Sequence, residues 1–382
     1  MKRTIILLIL LISTLFLVAC NNQSEEQNED NAGTLRVVTS IFPQFDFVRQ
    51  IAGDRVELTM LISPGAESHS FEPTPQDIIT LNEADLFIYI GGHAEVWVDS
   101  ILDSLESETL RSVALIDFVD EILMGEHQHH GHVYDCIDDD CPTDEAHYHE
   151  HDYDNNDHHH DHYHEHDYDN DHHHDHYHGH DYDNNDHHHD HYHGYDYDND
   201  HHHDQELHED DHVWTSPRNA IAIVMALADI LAALDPDNAY YFHANAASYI
   251  AELEELDRAF AEVAEQGARR IVIFGDRFPF RYLMHAYELS FLSAFPGCSA
   301  DTHASPATIT YLIDMITVLD VPVVFYIEFS NRMVADVLVE ATGVRLLEMH
   351  SVHNVSHADF EAGVTYLDLM RRNVEHLREA LN

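Results

Sequence analysis

Histidine and aspartate dominate one stretch of the chain. Within that stretch they are most of the side chains that can bind a metal. The chain holds 38 histidines, and 29 of them lie between positions 127 and 212. A unit that reads HYHEHDYDNNDHHHD at 147–161 recurs with small changes at 162–175, 176–190 and 191–204. Imidazole nitrogen and carboxylate oxygen both bind divalent cations, so these units predict many weak metal sites. The first unit alone offers His147, His149, His151, His158, His159 and His160.

This repetitive segment is too polar to form a folded core of its own. Between Arg111 and Arg218 there are 32 acidic residues and no lysine or arginine, and the repeats offer only tyrosine as a large apolar side chain. A solenoid would need apolar faces to bury between its coils. Low complexity and high charge instead predict a disordered loop at 127–211. Its cysteines, Cys136 and Cys141, either close a small disulfide loop or add soft metal ligands.

The balance of charge excludes one class of function. The 382 residues include 72 acidic and 17 basic side chains, which gives a formal net charge of −55. Proteins that bind nucleic acid neutralise phosphates with lysine and arginine. This composition therefore excludes nucleic-acid binding through a basic surface.

The first twenty residues predict export from the cytoplasm. Lys2 and Arg3 precede a short apolar run, an order that is typical of a secretory signal. The run ends in LVAC, which resembles the lipobox of bacterial lipoproteins. That resemblance implies a signal peptide at 1–20, a lipid attached to Cys20, and a flexible polar tether at 21–33. We expect an extracytoplasmic protein that is anchored to the cell membrane.

From Thr34 onward the chain alternates between short apolar strands and helices. This alternation predicts βαβ units with mainly parallel sheets, and therefore an α/β fold. The final helix is predicted to run without a break from Phe360 to Leu381. A longer helix near 236–266 carries one apolar stripe, which predicts that this face is packed in a core. The stripe consists of Ile250, Leu253, Leu256, Phe260 and Val263.

The long helix divides the chain into two predicted lobes. The N-terminal lobe takes 34–234 and contains the loop at 127–211, and the C-terminal lobe takes 269–382. The linking helix occupies 235–268. Each lobe is expected to hold a mainly parallel sheet flanked by helices, with its ligand site at the carboxyl ends of the strands.

Two motifs, in order along the chain, resemble those of one protein family. PGAESHSFEPTPQDI at 64–78 and DDHVWTSPRNA at 210–220 are similar to metal motifs of the zinc and manganese substrate-binding proteins of ABC transporters. In that family the histidine before FEP and the histidine two positions before the tryptophan are ligands. The resemblance makes His69 and His212 the corresponding ligands here. A histidine-rich acidic loop often precedes the second motif in the family, as it does in this chain.

The C-terminal lobe departs from the family pattern at the third ligand. Where the family has a histidine after the first strand of this lobe, the chain reads FGDRFPFRYL. Asp276 is the nearest residue able to bind a cation, and its alternative role is to pair with Arg277. His350 falls on the position of the fourth ligand, and His353 in HSVHN is its alternative. Glu328 matches a common acid of the family and is expected either to orient a ligand or to hold Arg277.

The resemblance also implies a fold and a function. We expect the two-lobed fold of metal-type periplasmic binding proteins, no enzymatic activity, and a monomer that delivers Zn²⁺ to an ABC permease and its ATPase. Three histidines and one carboxylate favour zinc over manganese. His93 and His243 are expected to be ordinary surface or packing residues. His303 is expected at the surface, and a position facing the site is its alternative. A manganese protein of the same family and a surface zinc buffer or adhesin are alternatives, and a zinc-dependent hydrolase is least favoured because HExxH is missing.

Overall fold

The structure is a computed structural model that describes residues 34–66, 71–92, 95–107, 109–125, 133–135, 209–295 and 304–382. Two sheets with helices on their flanks make up most of these residues, as the alternation of strands and helices predicts. The α/β fold class is therefore confirmed.

The first sheet is built from the N-terminal part of the chain. Its four described strands run parallel in the order β2-β1-β3-β4, and they are β1 Leu35–Thr39, β2 Val56–Met60, β3 Leu86–Tyr89 and β4 Arg111–Ala114. The helices between them are α1 Phe42–Ala52, α2 Pro75–Glu83 and α3 Trp97–Leu102. Their starts are encoded locally. Pro43 lies in the first turn of α1, and Thr74 forms a capping box with Asp77 at the start of α2.

A pair of long helices, α4 Pro217–Leu234 and α5 Ala239–Gln266, follows in the described chain. Among the described residues, α4 alone is long and apolar enough to cross a membrane, but its buried face packs against α5. It is therefore a core helix of this fold. On α5 the predicted stripe is buried at Leu253, Leu256, Phe260 and Val263, whereas Ile250 is only partly buried.

The second sheet has five described strands in the order β5-β7-β6-β8-β9, of which β5 alone runs antiparallel. The strands are β5 Val133–Asp135, β6 Ile271–Phe274, β7 Ser290–Ser293, β8 Val323–Tyr326 and β9 Arg345–Glu348. The helices of this part are α6 Arg281–Ala286, α7 Pro306–Val318, α8 Met333–Thr342, α9 His357–Glu361 and α10 Tyr366–Leu381.

The two sheets share one hydrophobic core. Phe47 on α1, Trp214 before α4, Phe260 on α5 and Tyr366 on α10 belong to the same buried cluster. The indole of Trp214 donates a hydrogen bond to the carbonyl of Ser351 at 2.9 Å, and the hydroxyl of Tyr366 donates to the carbonyl of Trp214 at 2.8 Å. Close-packed interiors resist deformation, so this shared core limits movement of one lobe against the other.

The closing helix predicted from Phe360 to Leu381 is wrong, since the chain forms α9 and α10 with a turn between them. Gly363 lies in this turn with a φ of 73°, a conformation that glycine adopts with little strain. Thr365 then begins α10, because its side chain and that of Asp368 form a capping box. The apolar residues keep a helical spacing on both sides of the turn, so the sequence pattern alone predicts one continuous helix.

The second sheet contains two strands that the sequence did not predict. β7 has only four residues and follows closely after α6, so it is too short to show a clear alternation. β5 pairs with β7 although its residues, 133–135, fall inside the segment predicted to be disordered. At the other end of that segment, Asp210 and Asp211 are buried and ordered. The loop predicted at 127–211 therefore has a strand near its beginning and buried residues at its end.

A buried carboxylate ties α1 to the start of α10. Oδ1 of Asp46 accepts hydrogen bonds from Nε of Arg49 at 2.9 Å and from the amide of Gln50 at 3.0 Å. Oδ2 accepts the backbone N–H of Tyr366 at 2.6 Å. Arg49 also donates to the carbonyl of Val364 at 2.9 Å. Asp46 is completely buried, and these donors compensate its charge.

Replacing Asp46 with asparagine is expected to lower the free energy of unfolding by about 2 kcal/mol, because the new amide group faces a donor instead of accepting from it. Urea unfolding followed by circular dichroism measures this change. Asp54→Asn is the matched control, since that side chain is 93% exposed. The control should change the free energy of unfolding by less than about 0.5 kcal/mol. Equal stability of Asp46→Asn and the wild type would contradict the prediction.

Candidate metal centre

His212 lies where the second sequence motif enters its helix. It directly precedes a 3-10 turn at Val213–Thr215, which leads into α4. The carbonyl of His212 accepts the hydroxyl of Thr215 at 2.8 Å and its backbone N–H at 3.1 Å. The side chain is almost completely buried. Local hydrogen bonds thus hold the backbone of this predicted ligand in place.

The carboxylate of Asp210 holds the ring of His212. Oδ1 of Asp210 lies 3.0 Å from Nδ1 of the ring and also accepts the backbone N–H of His212 at 2.9 Å. An imidazole that donates from Nδ1 keeps Nε2 unprotonated, which is the state in which Nε2 binds a metal. Burial raises the pKa of Asp210, but the charge and hydrogen bonds of His212 and the charge of Arg281 outweigh burial and hold the pKa below its ordinary value.

His350 lies in the loop of residues 349–356, which follows β9. The buried side chain of Asn373 pairs with the backbone of His350. It accepts the N–H of His350 at 2.9 Å and donates to the carbonyl of His350 at 2.8 Å. Nδ1 of the ring accepts the backbone N–H of Val352 at 3.0 Å. A neutral ring that accepts at Nδ1 carries its proton at Nε2, so Nε2 binds a metal only in the other tautomer.

Glu328 lies behind the ring of His350. Its carboxylate accepts the backbone N–H of Ser351 at 2.7 Å and the hydroxyl of Ser351 at 2.5 Å, so it fixes the start of loop 349–356. Oε1 of Glu328 lies 3.7 Å from Nδ1 of His350. In the tautomer that binds a metal through Nε2, this carboxylate is the group that can accept the proton of Nδ1. These contacts favour the predicted role of Glu328 in orienting a ligand.

His353 faces His212 across the junction of the two lobes. The centroids of the two rings are 5.7 Å apart, and the ring of His353 lies 5.2 Å from a ring of Trp214. This spacing is compatible with a shared zinc ion, whose bonds to imidazole nitrogen are about 2.0–2.1 Å long. The structure therefore brings His212 together with the residue that the sequence offered as the alternative to His350.

Asp276 lies at the carboxyl end of β6. Its Oδ1 accepts the backbone N–H of Arg277 at 2.8 Å, and its Oδ2 accepts the backbone N–H of Ile327 at 3.3 Å. Burial raises the pKa of this carboxyl, and the hydrogen bonds from Ser330, Arg277 and Ile327 oppose that effect to a smaller extent. The carboxylate thus links the ends of β6 and β8. It lies at the carboxyl ends of the strands, where ligands of α/β proteins bind.

Several residues about which the sequence made predictions lie outside the described residues. They are His69, Cys20, Cys136, Cys141, Cys298, His93, His303 and the accessory histidines His147, His149, His151, His158, His159 and His160. Within the described ranges, no three side chains of histidine, cysteine, aspartate or glutamate form a group that could hold a metal ion. His243 is exposed on α5, 3.8 Å from Asp229.

The described residues that precede His69 are tied to loop 349–356. The side-chain amide of Asn354 donates to the carbonyls of Ser63 and Ala66, both at 2.9 Å. The N–H of Gly65 donates to the carbonyl of Val355 at 2.7 Å. The chain that leads to His69 therefore begins beside the loop that carries His350 and His353.

Three residues around His212 were missed in the sequence, namely Asp210, Arg281 and Tyr282. The motif DDHVW did contain a usable signal, because a carboxylate close to a ligand histidine often accepts its second ring proton. Arg281 and Tyr282 come from α6, and Tyr282 is 72 positions away from Asp210. No local pattern connects residues so far apart in the chain.

Two α/β lobes with a shared core, and histidines of both lobes at their junction, define a two-lobed binding protein. The sequence model of the ZnuA family, described as "Zinc-uptake complex component A periplasmic", matches residues 37–380. The chain belongs to this family.

Named relatives agree with this assignment. The chain is 26% identical over 378 residues to the zinc-binding lipoprotein AdcA of Streptococcus pneumoniae, covering 99% of this chain and 61% of AdcA. It is 27% identical over 368 residues to the high-affinity zinc uptake system protein ZnuA of Bacillus subtilis, covering 96% and 94% of the two chains. It thus spans less than two thirds of the AdcA relative but nearly all of the Bacillus one.

The fold is shared with solved structures. The Zn(II)-bound ZnuA-like domain of Streptococcus pneumoniae AdcA superposes with a TM-score of 0.61 at 23% identity, covering 91% of this chain and 99% of that domain. The metal-dependent lipoprotein YcdH of Bacillus subtilis superposes with a TM-score of 0.63 at 23% identity, with the same coverage of 91% and 99%. At this identity the likeness concerns the fold alone.

Proposed function

We propose that this chain binds Zn²⁺ outside the cytoplasmic membrane and delivers it to the permease of an ABC transporter, without catalysing a reaction. The observation that carries the proposal is the approach of His212 to His353 at the junction of the lobes, with ring centroids 5.7 Å apart. Membership of a zinc-uptake family and relatives named for zinc binding support it. Imidazole-rich sites prefer zinc to manganese, which favours carboxylate and water ligands.

The proposed ligands are His69, His212, His350 and Asp276, with His353 as the alternative to His350. His212 is best prepared for this role, since its Nδ1 is already held by a carboxylate. His353 gains support from its contact with His212, whereas His350 must change its tautomer to bind through Nε2. Zinc in a closed site is bound by four ligands, so one histidine of the loop is sufficient if His69 and Asp276 take part.

The remaining parts of the chain have proposed roles that depend on this centre. A lipid on Cys20 would hold the protein at the outer surface of the membrane, near the permease and its ATPase, and the protein would act as a monomer. The histidine-rich repeats would bind zinc weakly and raise its concentration close to the strong site. Imidazoles bind only when unprotonated, so this weak binding should be lost as the pH falls through about 6.5.

Calorimetric titration of the purified protein with zinc, and separately with manganese, tests the proposal. We expect one strong zinc site, several weak zinc sites and weaker manganese binding. Deleting 140–205 should remove most weak sites and spare the strong one, and this deletion retains β5 of the second sheet. Loss of the strong site with the deletion, or stronger binding of manganese, would contradict the proposal.

A growth experiment separates uptake from simple storage. A strain that lacks this protein should need more zinc in its medium, and the wild-type gene should restore growth at low zinc. Normal growth of the deletion strain under zinc limitation would argue against delivery to a transporter and for a surface zinc buffer.

A further inference from the structure

Asp210 follows the histidine-rich repeats in the sequence and contacts His212 at the candidate metal centre. Its Oδ1 accepts both the backbone N–H and the Nδ1–H of His212, at 2.9 and 3.0 Å. The side chains of Asp210 and His212 are only 5% and 6% exposed, so water does not compete strongly for these bonds. Two hydrogen bonds to one carboxylate fix both the rotation of the ring and its tautomer.

The carboxylate of Asp210 is held from the opposite side by the second lobe. Nε of Arg281, the first residue of α6, lies 3.7 Å from Oδ2 of Asp210. The guanidinium of Arg281 lies over the ring of Phe291 on β7, 5.6 Å from its centroid. A buried charge is tolerated where it is paired, and Arg281 supplies the opposite charge for the carboxylate of Asp210.

The main chain of Asp210 is held by the next residue of the same helix. The hydroxyl of Tyr282 donates to the carbonyl of Asp210 at 2.9 Å and accepts the backbone N–H of Leu123 at 3.1 Å. The N–H of Asp210 in turn donates to the carbonyl of Leu123 at 2.8 Å. Tyr282 thus contacts the main chain at both Leu123 and Asp210, which lie on either side of the histidine-rich repeats in the sequence.

We propose that Asp210, Arg281 and Tyr282 form a positioning unit that holds His212 with Nε2 directed to zinc, an inference that rests on the proposed function. Asp210 orients the ring, Arg281 holds the carboxylate, and Tyr282 holds the backbone. The second lobe thereby contributes to the zinc site through α6 without supplying a ligand from that helix.

The first test measures the tautomer of His212 in zinc-free protein. In the wild type, the buried Nδ1–H should give a slowly exchanging ring N–H resonance in the proton NMR spectrum, identified by its loss in His212→Gln. Asp210→Asn weakens the acceptor and should shift this resonance and speed its exchange. An unchanged resonance in Asp210→Asn would overturn the proposal.

The second test measures zinc affinity by competition with a chromophoric chelator. Asp210→Asn should weaken the strong site about 10- to 100-fold, the range found when groups behind a metal ligand are removed. Asp46→Asn is the matched control, a buried acid whose partners are Arg49, Gln50 and Tyr366, and it should leave the affinity unchanged. Equal affinity of Asp210→Asn and the wild type would overturn the positioning role and leave the proposed function intact.

Tyr282→Phe provides a second variant that removes one hydroxyl and keeps the packing of the ring. It should weaken the strong zinc site several-fold, and it decides the question if Asp210→Asn does not fold. An unchanged affinity in Tyr282→Phe would then overturn the proposal. A wild-type protein with no strong zinc site would instead overturn the proposed function, and with it the role of the unit in zinc binding.

Discussion

Replacing His212 with alanine is expected to weaken the strong zinc site by about 100-fold or more. Zinc bound by four protein ligands at neutral pH gains about 10–16 kcal/mol, so each ligand contributes about 3 kcal/mol. His212 should contribute at least this share, because its ring is buried and already oriented by Asp210. Little entropy is then lost when zinc binds. The alanine variant loses the ligand and also the advantage of a ring that is already oriented.

Competition with a chromophoric chelator measures this loss while weak sites on the repeats stay empty at low free zinc. His243→Ala is the matched control. That residue is also a histidine of the folded part, but it is exposed on α5 and lies 3.8 Å from Asp229. The control should bind zinc as the wild type does. If His212→Ala kept the wild-type affinity, the strong site would lie elsewhere, and the histidine-rich repeats would be the next candidate for it.

The second large effect concerns Glu95, a carboxyl buried just after β3. It is 6% exposed, and its Oε2 accepts the backbone N–H of Ile90 at 2.6 Å. Burial raises the pKa of Glu95 from 4.5 to about 7, and the charge of Asp211 acts in the same direction. Hydrogen bonds from Ser40 and Ile90 lower the pKa but do not offset burial. The folded protein therefore keeps Glu95 protonated over a pH range in which the unfolded chain has released the proton.

This difference makes the contribution of Glu95 to stability depend on pH. Between pH 4.5 and about 7 the folded state binds one more proton than the unfolded state, so the free energy of unfolding falls as the pH rises. Above both pKa values the buried carboxylate destabilises the fold by about 3 kcal/mol relative to low pH. Replacing Glu95 with glutamine removes the ionisation and keeps the shape of the side chain.

Glu95→Gln is therefore expected to be more stable than the wild type by about 3 kcal/mol at pH 8, with the gain shrinking towards zero as the pH approaches 4.5. Urea unfolding of the zinc-free protein at a series of pH values measures the difference. Glu83→Gln is the control, because the side chain of Glu83 is 65% exposed and pairs with Arg36 at the surface. Parallel pH profiles for Glu95→Gln and the wild type would show that this carboxyl is not responsible.

The shared core explains how the proposed ligands can come from distant parts of the chain. Trp214 on one side and Ser351 on the other are joined by a hydrogen bond of 2.9 Å, which connects the chain next to His212 with loop 349–356. Asn354 extends the same contact to the residues before His69. A site assembled on a stiff framework binds without a large rearrangement of the lobes, which preserves affinity.

The sequence by itself determined the local features of this protein. Strand and helix alternation predicted the α/β class, and the apolar stripe predicted the buried face of α5. The motifs that contain His69 and His212 indicated the family whose sequence model matches residues 37–380. These features depend on residues within a few positions of one another, where hydrogen-bond patterns and side-chain periodicity act directly. The break before α10 was also encoded locally, in Gly363 and the capping box of Thr365, but the continuing apolar pattern concealed it.

Only the tertiary structure decided which residues support the site. Arg281 and Tyr282 meet Asp210 because α6 packs against the turn before α4, and no spacing along the chain announces that contact. The choice between His350 and His353 also depends on tertiary structure. Both residues lie in one loop, and only the path of that loop shows that His353 faces His212. Such contacts arise from the packing of whole elements in one close-packed core, and sequence patterns report the elements but not their mutual placement.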